Sequence, residues 1–189
     1  MLNRVRGAVS RLTRPVAAAI ARTGVPPNLI TFAGFLVSVG AAYAFYQSMP
    51  FLGGVLLLLS GSFDIIDGAV ARASSRVTRL GGVLDSVLDR YSDLVVIGAI
   101  TISGLCSPIA GIAAMIGSVM VSYVRARGEV EGVRMSAVGM MERAERIVLI
   151  AATAMLGILD IGILILAVLA NITVLQRLYH IWRSLTAPA

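Results

Sequence analysis

Four aspartates stand where a chain of this kind tolerates them least: Asp64, Asp67, Asp85 and Asp89 fall inside two runs otherwise apolar enough to cross a bilayer. An aspartate near the bilayer centre costs on the order of 3 kcal/mol on insertion scales, so four unpaired ones would cost roughly 10 kcal/mol, comparable to the stability of a whole domain. The spacing predicts how they are paid off. Asp64 and Asp67 are three residues apart and Asp85 and Asp89 four apart, so each pair projects from one face of a helix. Two such helices side by side bring the carboxylates together, and something cationic must sit among them. All-oxygen ligands suit a hard divalent ion, Mg²⁺ before Ca²⁺ or Mn²⁺, and four carboxylates suffice for two ions with room left for a substrate phosphate.

With 58% hydrophobic residues in 189 and a mean hydropathy of +0.90, the chain is too apolar for an ordinary soluble domain. Its length allows about six spans of roughly 20 residues. The fold expected is all-α and polytopic, with six transmembrane helices and an N-terminal amphipathic interfacial helix. The spans are placed at about Leu29–Tyr46, Phe51–Ala73, Gly81–Leu105, Pro108–Val124, Ala144–Leu159 and Ile161–Leu178. Residues 1–24 carry Leu2, Val5, Val9, Leu12 and Val16 at helical spacing with Arg4, Arg6, Arg11 and Arg14 between them, the pattern of a juxtamembrane helix lying on anionic headgroups. A secretory signal is the competing reading, but the apolar run from Val16 to Ala21 is short and Pro15 precedes it. Val25-Pro26-Pro27-Asn28 closes the arm, with Asn28 or Thr31 placed to cap the first span.

All 16 basic residues are arginine. They fall in the arm, around Arg72, Arg76 and Arg79, from Arg125 to Arg146, and at Arg177 and Arg183, with Arg90 just inside the third span. Six spans put all of these on one side, and the connections near residues 47–50, 105–109 and 158–161 carry only Asp160. By the positive-inside rule this multi-pass cell-membrane protein has both termini and the aspartates on the cytoplasmic face. The membrane surface accounts for the net charge of +6, and no nucleic-acid motif accompanies it. A single cysteine, Cys106, excludes an internal disulfide and a multi-cysteine zinc site. No boundary or repeat interrupts residues 1–189, which read as one domain.

Written as one string, the acidic stretch is Asp64-x2-Asp67-Gly68-x2-Ala71-Arg72-x8-Gly81-x3-Asp85-x3-Asp89. At all eight fixed positions it resembles the signature of the CDP-alcohol phosphotransferases, membrane enzymes of phospholipid synthesis. The resemblance implies a homodimer that takes a CDP-linked lipid as donor and an alcohol as acceptor, the acceptor hydroxyl attacking the lipid-bearing phosphate as CMP leaves. It implies Asp64, Asp67 and Asp85 as ligands of two Mg²⁺ ions, with Mn²⁺ an alternative, and Asp89 as general base and ligand of the second ion. An ordinary carboxylate is a weak base for an alcohol, so Asp89 needs help from a metal-acidified hydroxyl or from its surroundings. For the donor, Gly68 and Arg72 match a nucleotide-contacting glycine and arginine, Thr78 a loop hydroxyl, and Asn28, Leu29, Ile30 and Thr31 the segment meeting the cytidine end. Gly68 and Gly81 also leave room for a close ligand or a second backbone.

Three later segments, Ser122–Arg127, Glu142–Arg146 and Gln176–Leu178, resemble the inositol-phosphate branch of that family. The acceptor implied is inositol phosphate, its phosphate held by Arg125, Arg146 and Arg177, whose guanidinium groups each offer two parallel donors. Related members often carry lysine at the first of these positions, so Arg125 is a departure. Glycerol 3-phosphate is the alternative acceptor, and either an ester-linked phosphatidyl or an ether-linked archaetidyl donor fits. A divalent-cation transporter would need polar positions continuing across the bilayer, whereas the spans are almost wholly apolar beyond Asp93. Asp93 and Asn171 are expected to make buried hydrogen bonds, His180 to lie on the surface, and Glu129 and Glu131 to form solvated ion pairs.

Overall fold

The computed structural model describes residue 15 and residues 17–74, 76–135 and 138–186. Six helices follow in order: α1 (Pro27–Tyr46), α2 (Pro50–Ala73), α3 (Arg79–Ile102), α4 (Pro108–Val130), α5 (Arg143–Met155) and α6 (Leu159–Thr186). Proline opens three of them, at the start of α1, α2 and α4. There its fixed φ suits the helix, and its missing N–H removes a donor that would have had no partner. Neither Asn28 nor Thr31 caps α1: the cap position is Pro26, and the Thr31 hydroxyl donates instead to the Pro27 carbonyl at 3.2 Å. Thr78 does cap α3, its hydroxyl accepting from the Gly81 amide at 3.0 Å.

Glycine sets the other ends. Gly104, Gly132 and Gly157 follow α3, α4 and α5 with φ of 75°, 78° and 74°. At each the next amide reaches back into the last turn: Leu105 to Ile100 at 3.2 Å, Val133 to Gly128 at 2.9 Å, Ile158 to Thr153 at 2.9 Å. The turns after α1, α3 and α5 are short, so successive helices fold back on each other.

No strand occurs among the described residues, and the protein is an all-helical, multi-pass membrane protein. Helices α1, α2, α4 and α6 are long and apolar enough to cross a bilayer. Helix α3 has the length, at 24 residues, but carries Arg79, Asp85, Asp89, Arg90 and Asp93. Helix α5, expected over Ala144–Leu159, has 13 residues. At 1.5 Å per residue it measures about 20 Å against a hydrocarbon core of about 30 Å, because Gly157 ends the apolar run early. Helix α6 runs on to Thr186 and presents Tyr179 and Trp182 outward, their rings 5.9 Å apart. Most of the expected interfacial arm, residues 1–14 and 16, lies outside the described residues. Its end, 17–22, is helical and buries Ala17 against Ile30 and Val70.

The main contacts close a ring in which α2, α1, α3, α4, α6 and α5 each touch the next and α5 returns to α2. Small and polar residues allow the close approaches, as expected where lipid gives no hydrophobic drive for helices to associate. Ser38 of α1 bonds Ser92 of α3 at 2.9 Å, and Asn171 of α6 donates to the Ala113 carbonyl of α4 at 3.1 Å, the interhelical bond expected of it. Phe45, Ile97, Ile100, Ile163 and Leu166 fill the interior, while Leu58, Ile112, Leu164 and Leu175 face outward.

Candidate active site

At one end of the ring all six helices deliver polar side chains. The last turns of α2 carry Asp64, Asp67, Gly68 and Arg72, the first turns of α3 carry Asp85 and Asp89, and α1 contributes Asn28 and Thr31. Arg125 comes from α4, Arg143 and Arg146 from α5, and Arg177 from α6. Asp64, Asp67 and Asp85 each place a carboxylate oxygen within 4.8 Å of the other two. Asp67 is 6% exposed, and its Oδ2 is buried with no hydrogen-bond partner. A buried anionic oxygen without a donor is costly, and a bound cation removes that cost. The triad therefore fits a divalent ion in its donor chemistry, its spacing and its unmet bond.

Asp89 lies a turn further along α3 than Asp85 and shares a guanidinium with the triad: Arg143 Nη1 lies 2.9 Å from its Oδ1 and Arg90 Nη1 3.5 Å from its Oδ2. Arg143 also bonds Asp64. Asp93, one turn deeper, takes a charge-assisted bond from Arg146 Nη2 at 2.7 Å and has Arg143 Nε at 3.6 Å. It is the buried bonding partner expected, with an arginine on the other side. Arg177 is 1% exposed and donates to the Val121 and Val138 carbonyls at 2.6 and 2.9 Å, with Glu142 at 3.9 Å.

Two cavities open beside this charge network. The first, of about 320 Å³, is lined by Asn28, Thr31, Arg72, Arg76, Thr78 and Gly81, with Asp67, Gly68 and Asp85. Leu29 and Ile30 do not line it: Leu29 is 55% exposed and Ile30 packs into the Ala17–Val70 cluster. A Cβ on Gly81 would come within 2.9 Å of the Thr78 hydroxyl and 3.0 Å of the Asn28 carboxamide, so the missing side chain makes room for two lining groups. Arg76 ties the cavity's loop to the arm through the Gly24 carbonyl at 3.0 Å. The second cavity, of about 440 Å³, is lined by Asp89, Arg90, Arg125, Arg143, Arg146 and Arg177, with Ser86, Ser122 and Glu142 among the rest. Arg125 holds Glu129 at 3.0 Å on the exposed rim, and Arg127 pairs with Glu131, solvated pairs of little energetic weight. His180 is half-buried, its Nε2 3.1 Å from the Arg134 carbonyl. One helix thus serves both spaces, α3 giving Asp85 to the first and Asp89 to the second.

Residues 25–179 match the CDP-alcohol phosphatidyltransferase family. The chain belongs to this family. Over 98% of its length it is 42% identical to the archaetidylinositol phosphate synthase of Methanothermobacter thermautotrophicus, of which the match covers 96%. The crystal structure of Mycobacterium tuberculosis phosphatidylinositol phosphate synthase with CDP-DAG bound superposes with a TM-score of 0.82 at 33% identity, over 95% of this chain and 96% of that one. A second structure of that enzyme, in complex with manganese and citrate, gives a TM-score of 0.82 at 32% identity over 94% and 90%.

Sequence reasoning assigned three arginines of this CDP-alcohol phosphatidyltransferase to the second cavity and passed over Arg143. The signal was present: Arg143 and Arg146 are three residues apart at the start of a helix, so both face the same way. Arg90, just inside the third span, lines the same cavity.

Proposed function

We propose that the protein transfers a phosphatidyl or archaetidyl group from a CDP-linked lipid to inositol phosphate and releases CMP. The observation that carries this reading is the division of the site: a cavity with the matched donor residues lies on one side of α3, and an arginine-lined cavity containing Asp89 lies on the other. The named relatives are an archaetidylinositol phosphate synthase and a phosphatidylinositol phosphate synthase, which supports the acceptor.

In the donor cavity Asn28, Thr31 and Thr78 offer hydrogen bonds to the nucleotide, and Arg72 offers charge to the diphosphate, which approaches over Gly68. Asp64, Asp67 and Asp85 hold divalent ions, Mg²⁺ or Mn²⁺, with Asp89 completing the second of two; the manganese complex of the relative supports a divalent ion. When bound, the ions neutralise the diphosphate and the charge developing at phosphorus. Arg125, Arg146 and Arg177 bind the phosphate of the acceptor and so aim its hydroxyl at the lipid-bearing phosphate. A bond forms from that oxygen to phosphorus, the bond from phosphorus to the bridging oxygen breaks, and CMP departs with the electron pair. Asp89 takes the hydroxyl proton.

Six crossings complete the proposal, α3 turning Asp85, Asp89 and Asp93 toward the site and α5 being the shortest of them. The arginine distribution supports a site and two termini on the cytoplasmic face, and the chain reads as a single domain. The homodimer rests on the family resemblance. Purified protein given CDP-lipid and inositol phosphate should release CMP with Mg²⁺ or Mn²⁺ and stop with excess EDTA. Undiminished release in EDTA would reject the metal, and faster release with glycerol 3-phosphate would replace the acceptor.

A further inference from the structure

The proposed chemistry leaves the half-buried Arg143 without a task. Arg143 bonds Asp64, lies 2.9 Å from Asp89, and lines the arginine cavity. The other guanidinium groups there have their shortest bonds to groups outside the chemistry, although Arg90 also lies 3.5 Å from Asp89. Arg146 is fixed by Asp93 at 2.7 Å and the Met141 carbonyl at 3.4 Å, Arg177 by the Val121 and Val138 carbonyls, and Arg90 by the Ser86 carbonyl at 2.7 Å. Arg143 differs: its close partners are the first aspartate of the triad and the residue proposed as base, and its Nε makes no hydrogen bond. Asp64 is thereby claimed twice, by the geometry of the triad and by this guanidinium.

We infer that Arg143 couples cation binding at the triad to anion binding in the acceptor cavity, because it bonds Asp64 and Asp89 while lining the space beyond them. This rests on the function proposed above. A divalent ion that takes the Asp64 carboxylate displaces the guanidinium from it. The freed group keeps its place beside Asp89 and turns toward the cavity, where it adds positive charge for an acceptor phosphate. Linkage makes the effect reciprocal: an anion that holds Arg143 in the cavity leaves Asp64 free and tightens the cation. Arg143 is a positioning residue in this scheme. It sets when Asp64 is free and where the charge beside Asp89 lies.

Mn²⁺ binding to the full chain in detergent, read from the EPR signal of the free ion, tests this without turnover. Inositol phosphate should tighten Mn²⁺ about fivefold or more in the wild type, the lower end of ordinary coupling between sites. Arg143→Gln should bind Mn²⁺ more tightly than the wild type without acceptor and gain nothing when inositol phosphate is added. Arg146→Gln removes an equal charge but no bond to Asp64, and should tighten Mn²⁺ distinctly less. Three results overturn the inference: unchanged or weaker Mn²⁺ binding in Arg143→Gln, full inositol phosphate coupling in that variant, or equal tightening in Arg146→Gln. Should Arg143→Gln not yield folded protein, Arg143→Lys keeps the charge without the fork and should show reduced coupling; wild-type coupling there overturns the inference as well. Failure of the wild type itself to bind Mn²⁺ would instead remove the functional reading beneath it.

Discussion

Asp89→Asn is expected to slow CMP release by about 10³-fold, within the 10²–10⁴ range of a general base, while CDP-lipid still binds. Asparagine keeps the size of the side chain but takes no proton. The donor cavity does not include Asp89, so affinity for the nucleotide end should move little. Arg143 Nη1, 2.9 Å from Asp89, and Arg90 Nη1, at 3.5 Å, lose an ionic partner, which makes thermal stability a necessary control. Single-turnover CMP release beside equilibrium binding of CDP-lipid separates the steps. Wild-type release in this variant would deny Asp89 the proton, and lost donor binding would show that the donor depends on its bond to the second ion.

Arg146→Ala should cost both stability and use of the acceptor. Arg146 is 2% exposed and is the nearest charge to Asp93, at 2.7 Å. Removing one member of a buried pair strands the other, at about 3–5 kcal/mol, whereas replacing both with apolar residues of similar volume is often neutral or better. The double variant Asp93→Leu/Arg146→Met should therefore recover most of the thermal stability that Arg146→Ala loses. It should not recover inositol phosphate turnover, because no guanidinium stands at that point of the cavity. Recovery of both would make Arg146 a strut for Asp93 with no part in acceptor binding.

What the sequence made readable follows from what helical periodicity carries. The pairing of Asp64 with Asp67 and their meeting with Asp85 came from spacing within apolar runs. The guanidinium that stands between Asp89 and Asp64 did not, because periodicity gives the face of a helix rather than the partner across it. Asn28 and Thr31 reach the first cavity while Leu29 and Ile30 turn away, the outcome of a three-residue step along α1. Hydropathy overran α5 because the sequence stays apolar from Ile147 through Leu159, and the backbone reversal at Gly157 leaves no mark on a hydropathy profile. The three-way contact of Arg143 joins α5 to α2 and α3, and contacts between distant segments have no period to read.

Everything proposed for the chemistry depends on Asp64, Asp67 and Asp85 gripping divalent ions that in turn hold the donor diphosphate. Anomalous diffraction from crystals grown with Mn²⁺ and a CDP-linked lipid addresses this directly. The expected map has manganese peaks among those three carboxylates, in contact with the diphosphate and lost in Asp67→Asn. A diphosphate seated in the first cavity with no manganese beside the triad would contradict the account.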